Sequence, residues 1–241
     1  MRIVIPGGTG LLGRLLSRAL RVDGHEVVVL SRSGGPDAVV WDGRTLGPWA
    51  DHVDGAGAVV NLAGRTVDCR YTTGHLREMM DSRVESTRAI GLAIARARRP
   101  PPVWLQMSTA TIYAHRRDAP NDEPGGRIGG DEPDAPTSWR WSIDIARAWE
   151  RALEEAATPR TRKVAMRTAM VMSSAPGGAY AVLRRLARAG LGLTPMQRRE
   201  RAEREKFAME QARQAAGASG GRGPALRDEL HLTGTKEGCG T

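Results

Sequence analysis

Cysteine is almost missing from this 241-residue chain: Cys69 and Cys239 are the only two, with no C-x-x-C pair and no cluster of histidines. That excludes a disulfide framework and a Cys/His metal centre, and it fits a reducing compartment. Lysine is nearly as scarce, Lys163, Lys206 and Lys236 being the only three, so the basic residues are almost all arginine. Aromatic residues make up 4%, leaving few platforms on which single-stranded bases would stack. No apolar run approaches the roughly 18 residues of a membrane span, and Ile3-Val4-Ile5 is too short for a signal-peptide core before Pro6 intervenes. What remains is the expectation of a cytoplasmic protein without membrane partners. At this length about 70 to 75% of the unfolded chain's surface can be buried, so its core needs no metal or disulfide staple.

Charge is present in excess, with 36 basic against 27 acidic residues for a net +9. The excess is spread thinly over the chain and not gathered in one stripe, which predicts an arginine-rich surface and no nucleic-acid partner.

Short β-branched runs alternate with longer stretches of helical period. Arg2 to Ile5, Glu26 to Leu30, Ala58 to Leu62, Val103 to Ser108 and Val164 to Val171 read as strands, apolar enough to be buried on both faces. Leu11 to Val22, His75 to Arg98 and Trp141 to Ala157 read as helices, the first stopped at Gly24 and the second by Pro100-Pro101-Pro102. Such alternation predicts an α/β fold, a doubly wound parallel sheet of Rossmann type. Asp118 to Thr137, rich in Pro, Gly and Asp, reads as a long functional loop. The expected division is a nucleotide-binding domain over 1–193 and a charged, Gly-rich, poorly ordered tail over 194–241.

The first strand runs into Pro6-Gly7-Gly8-Thr9-Gly10-Leu11-Leu12-Gly13 and then a helix. Glycines at 7, 10 and 13 let the backbone turn and approach a pyrophosphate, while free N–H groups at the helix start meet the anion. Gly7, Thr9, Gly10, Leu11, Leu12 and Gly13 are therefore candidate cofactor residues. An NAD site would place an acid at the end of the second strand to hold the ribose hydroxyls; this chain has Ser31-Arg32-Ser33 there. A guanidinium beside hydroxyls suits a 2′-phosphate, so Ser31 and Arg32 predict NADP in preference to NAD. Leu62, Ala63 and Gly64, small residues at the end of another strand, complete the expected cofactor edge.

Together with Ser108-Thr109-Ala110-Thr111-Ile112-Tyr113, Cys69-Arg70-Tyr71-Thr72, Asp81-Ser82-Arg83-Val84-Glu85-Ser86-Thr87-Arg88, Ala148-Trp149-Glu150 and Arg167-Thr168-Ala169-Met170-Val171, these motifs resemble the extended short-chain dehydrogenase/reductases. Within that superfamily the series is similar to the atypical "epimerase family" of NAD(P)-binding proteins, relatives of the NAD-dependent epimerases and dehydratases, over about residues 1–193. The resemblance implies redox or epimerase chemistry on an unknown hydroxyl or carbonyl substrate, and it puts Thr109 where the superfamily carries the Ser or Thr that holds the substrate oxygen. It also implies a C-terminal substrate lobe. Here the likeness stops near Leu193, and the tail reads as a frameshifted stretch of a G+C-rich gene would, so the lobe is expected to be truncated or missing.

The superfamily's chemistry also uses a Tyr whose phenol moves a proton, with a Lys four residues on to lower its pKa. No Tyr-x-x-x-Lys occurs in this chain. Counting back from Glu150, the expected pair falls on Ser142 and Ala146, and Arg83 stands in place of the helix Asn. Tyr113 with Arg117 has the same spacing, but that Tyr position reads as structural; Asp144, His115 and Tyr71 are further polar residues with no partner fixed by sequence. A non-catalytic NADP(H)-binding sensor or partner module, or an inactive truncated relative, is therefore the alternative to an enzyme. Gly217-Ala218-Ser219-Gly220-Gly221 fits a nucleophile elbow in pattern only, because it lacks the flanking strand and helix.

Overall fold

The structure is a computed structural model that describes residues 1–116, 118–132, 137–173 and 179–191. One compact unit runs from Met1 to Ala181, and a second, Val182–Thr241, is described only over 182–191. The expected boundary at residue 193 and the tail beyond it, with Lys206, Lys236, Cys239 and the elbow-like pattern, lie outside the described residues.

The first unit is a single parallel sheet. Its strands are β1 (Arg2–Pro6), β2 (Glu26–Ser31), β3 (Ala38–Val40), β4 (Ala58–Asn61), β5 (Val103–Thr109) and β6 (Arg162–Thr168), in the order β3-β2-β1-β4-β5-β6. Helices α1 (Leu11–Val22), α2 (Thr73–Arg96) and α3 (Thr137–Glu154) make the crossovers, and α4 (Ala179–Arg188) follows the last strand. Successive residues of β1 show the double winding by facing opposite sides of the sheet. Ile3 and Ile5, with Ala58 and Val60, pack beneath Leu16 and Leu20 of α1, while Val4 and Val59 meet Ala89, Ile90, Ala93 and Ile94 of α2 on the opposite face. Strand order reverses between β1 and β4, which opens a crevice at the carboxyl edge of the sheet, the usual ligand position of such folds.

The helices follow the sequence pattern with shifts at their ends. α2 starts two residues early because Thr72 caps it, its hydroxyl accepting from the His75 N–H at 3.2 Å. α3 begins at Thr137 and not at Trp141, directly where the expected long loop ends, and Ile128 within that loop bridges back to Tyr113. β3 and the 3-10 turn at Pro48–His52 were not legible: three residues carry no readable period, and Trp49 of the turn fills the core edge-on against Trp41 with ring centroids 5.2 Å apart. The expectation of strands buried on both faces is corrected at β6, whose residues are exposed or half-buried because it lies at the sheet's edge.

Candidate functional site

The turn after β1 is held by hydrogen bonds from Gly7 N–H to Leu30 C=O (2.9 Å) and from Gly8 N–H to Ile5 C=O (3.1 Å). Its glycines differ in what they do. Gly7 has φ +76°, and a Cβ there would stand 2.7 Å from the Ala63 nitrogen. A Cβ on Gly13 would stand 2.4 Å from the Gly8 Cα, so that glycine exists to let α1 touch the turn. Gly10 is otherwise: its backbone, φ −69° and ψ 173°, suits any residue, and a Cβ would meet only the Gly7 carbonyl oxygen at 3.5 Å. The fold does not need a glycine at position 10. Gly10 is also the N-cap of α1, with no side-chain cap and no acid in the first turn, so the helix presents free N–H groups and its positive end.

Above this turn lies a cavity of about 540 Å³, within the roughly 300 to 1,000 Å³ range of small-molecule and cofactor sites. Gly7, Thr9 and Gly10 form its floor, Leu62, Ala63 and Gly64 one wall, and Ser31 and Arg32 another. Leu11 and Leu12 are not among its lining residues, and Gly13 is buried against Gly8, so these three expected residues shape the turn and helix start from behind. The Leu62–Gly64 wall is fixed from inside the sheet. Asn61 and Gln106, both fully buried, are joined by a side-chain amide hydrogen bond of 2.9 Å, and the Asn61 Oδ1 accepts from the Ala63 N–H at 3.0 Å.

Three arginines reach this cavity, in different states. Arg44 pairs with Glu85 at 2.8 Å and Arg65 pairs with Glu78. Arg32 is exposed and makes no hydrogen bond or ion pair among the described residues. Asp42 closes the loop after β3 by accepting from the Arg44 and Thr45 N–H groups at 2.8 and 2.9 Å and from the Thr45 hydroxyl at 2.6 Å. These bonds, the Thr45 hydroxyl first, hold its carboxyl below the usual 3.8. Neither Arg44 nor Asp42 carried a readable sequence signal, because the loop that brings them here follows the strand the pattern did not reveal.

A second, smaller cavity of about 240 Å³ lies between α2, the end of β5 and α3, lined by Thr109, Ser142, Tyr71 and Arg83 among apolar residues. Thr109 is half-buried, and its hydroxyl lies 3.0 Å from that of Thr111. Ser142 faces the same cavity, whereas Ala146 is fully buried in the core. Lys163, the one lysine among the described residues, donates to the Glu154 and Ala156 carbonyls at 2.8 and 3.1 Å, away from this cavity. The Arg83 guanidinium sits 5.0 Å from the centroid of the Trp149 ring and donates to the Met79 carbonyl at 3.0 Å. Burial holds its pKa below the usual arginine value, opposed by nearby Tyr71.

Tyr113 does not complete this site. Its hydroxyl accepts from Arg167 at 3.1 Å, and Arg167 also grips Glu150 through two bonds of 2.9 and 2.8 Å, which raises the Arg167 pKa. Glu150 accepts in addition from Ser108 at 2.5 Å. This network ties α3 to β5 and β6. Arg117, the other half of the imagined pair, lies outside the described residues. His115 stacks edge-on with Trp139 at 6.4 Å beside a third cavity, of about 700 Å³, between Tyr113, Arg167 and the following loop. No helix among the described residues is long and apolar enough to cross a membrane.

Residues 3–137 match the model of the NAD dependent epimerase/dehydratase family. The epimerase family protein SDR39U1 of Bos taurus is 32% identical over 199 residues, which is 80% of this chain and 61% of that protein. The crystal structure of human epimerase family protein SDR39U1 (isoform 2) with NADPH superposes with TM-score 0.66 at 30% identity, covering 79% of this chain and 61% of that one. A nucleoside-diphosphate sugar epimerase from Corynebacterium glutamicum superposes with TM-score 0.60 at 28% identity, over 78% of this chain and 37% of its own. The chain thus spans about three fifths of the length of its SDR39U1 relatives.

Proposed function

The chain belongs to the NAD dependent epimerase/dehydratase family, and on that premise we propose that it binds NADP(H) in the crevice of about 540 Å³ above the glycine turn and acts on a hydroxyl or carbonyl compound. Gly10 is the observation that carries the reading. It is a glycine that no internal contact or backbone angle requires, at the start of a helix with bare N–H groups, and the space it leaves open is the space a pyrophosphate needs. Gly7, Thr9, Leu62, Ala63 and Gly64 would enclose the cofactor, and the free N–H groups of α1 would meet its phosphates.

Arg32 is the proposed partner of the 2′-phosphate, since it alone of the three arginines has no carboxylate among the described residues. A forked, charge-assisted contact of that kind is absent from NADH. The NADPH bound by the human relative supports the same choice. When bound, the cofactor supplies a hydride donor or acceptor; the protein's own part is to orient it and to hold a substrate oxygen near Thr109.

A second reading, a cofactor-binding module without turnover, is favoured by one observation. Lys163, the one lysine among the described residues, is committed to main-chain carbonyls, and the resemblance puts Ser142 and Ala146 where the superfamily carries its Tyr and Lys. Titrating the full chain with NADPH and NADH by the fluorescence of the reduced nicotinamide tests the cofactor assignment. NADPH is expected to bind at least tenfold more tightly, with Arg32→Ala removing most of the difference; equal affinities would falsify the role of Arg32. Hydride exchange between bound cofactor and added carbonyl compounds then separates the enzyme from the module.

A further inference from the structure

Arg83 is an exception among the enclosed arginines of the described residues. Arg65 and Arg167, whose side chains are each 29% exposed, both have a carboxylate partner, Glu78 and Glu150. Arg83 has none among the described residues: its guanidinium is fixed by the Met79 carbonyl and the Trp149 ring, and a Cβ on Gly64 would lie 3.3 Å from its Cζ. A guanidinium carries five N–H donors, and one is used here. A desolvated cation without a counter-ion is costly, so it persists where a ligand supplies the opposite charge.

The cavity that Arg83 lines is otherwise a mixture of apolar and hydroxyl-bearing residues. Leu76, Met79 and Ile145 make the apolar wall, while Thr109 and Ser142 stand with Arg83 among its polar residues. Its volume of about 240 Å³ falls short of the roughly 300 Å³ at which sites for drug-sized ligands begin. A nucleoside diphosphate sugar, with two phosphates and a nucleoside, matches neither the size nor the single cation.

We propose that this cavity is a binding site for a small monocarboxylate with an apolar body, its carboxylate paired with Arg83 and its hydrocarbon against Leu76, Met79 and Ile145. Gly64 touches Arg83 on one side and lines the cofactor crevice on the other, so the ligand's oxygen-bearing end is directed to the border between the two cavities. As a substrate class the proposal rests on the cofactor reading above, but as a carboxylate site it stands without it.

The test is isothermal titration of the full chain with α-ketoisocaproate and with its methyl ester, each with and without NADPH. The acid is expected to bind at least about tenfold more tightly than the ester, and Arg83→Met to erase that advantage while Arg83→Lys keeps part of it. Equal binding of acid and ester, no binding of the acid in either condition, or an acid affinity unchanged in Arg83→Met overturns the proposal. Should Arg83→Met fail to fold, the acid and ester comparison on the unaltered protein decides alone. Acid binding without any NADPH binding would sink the cofactor reading and leave this site standing; NADPH binding without acid binding does the reverse.

Discussion

The two cavities on either side of Gly64 are built from different material. The larger one is floored by backbone, with Gly7, Thr9 and Gly10 beneath it, and its wall is set by a buried amide pair inside the sheet, Asn61 and Gln106. The smaller one is built from side chains of α2, β5 and α3, with one cation fixed by a carbonyl and a ring. A backbone-lined site tolerates change nearly everywhere except where a Cβ intrudes, and it suits a ligand whose phosphates look the same to every relative. A side-chain-lined site changes its ligand with each substitution, which is how one fold comes to serve many substrates.

The sharpest way to break this comparison is within the glycine turn itself. Gly13→Val drives a side chain into the Gly8 backbone and is expected to destabilise the first unit by about 3 kcal/mol, read as a lowered midpoint in urea unfolding. At position 10 an added Cβ would meet only the Gly7 carbonyl oxygen at 3.5 Å, so Gly10→Val should leave that midpoint nearly unchanged while NADPH affinity falls at least tenfold. If both variants lose stability equally, the turn is only structural and the distinction between its glycines fails.

Next in size is the network that holds α3 against the sheet. Glu150→Ala leaves Arg167 without its carboxylate and Ser108 without its acceptor, for an expected loss of about 2 to 3 kcal/mol in chemical unfolding. Because Thr109, next to Ser108, lines the smaller cavity, carboxylate affinity should fall in this variant more than NADPH affinity does. An equal fall in both would show that the two cavities do not depend on separate supports.

The smallest effect is expected at Asp42. Its carboxyl is held below 3.8 when folded, so the stabilisation it gives to the loop over the larger cavity is fully present above that pH and disappears as the pH falls through the lowered folded value. Asp42→Asn removes this dependence. Thermal midpoints of the two proteins should differ by a constant amount from neutral pH to about 5 and converge under stronger acid; a difference that grows on acidification contradicts the assignment.

The larger cavity was legible in sequence because its parts are short and contiguous: a glycine turn between strand and helix, Ser31-Arg32 at one strand end, Leu62-Ala63-Gly64 at another. Even there the pattern did not separate Gly10, whose room is open, from Gly13, whose room is filled by Gly8. Arg44 and Asp42 were hidden because β3 is three residues long and shows no period. The smaller cavity was legible only in pieces. The sequence offers Thr109 and Arg83, but that Arg83 has no carboxylate among the described residues emerges only once the fold sets Gly64 and Trp149 against it. Likewise the sequence reads Tyr113 as structural and not as a partner of Arg117, but it does not name the residue its hydroxyl meets, Arg167, 54 residues away. Spacing along a chain reads local geometry and cannot read such pairs.

The backbone-floored crevice is the proposed seat of NADP(H), with the 2′-phosphate at Arg32. A crystal structure of the full chain grown with NADPH tests it most directly. The pyrophosphate is expected over Gly10 and the start of α1, and the 2′-phosphate within hydrogen-bonding distance of the Arg32 guanidinium. Density for the cofactor elsewhere, or a 2′-phosphate directed away from Arg32, would contradict it.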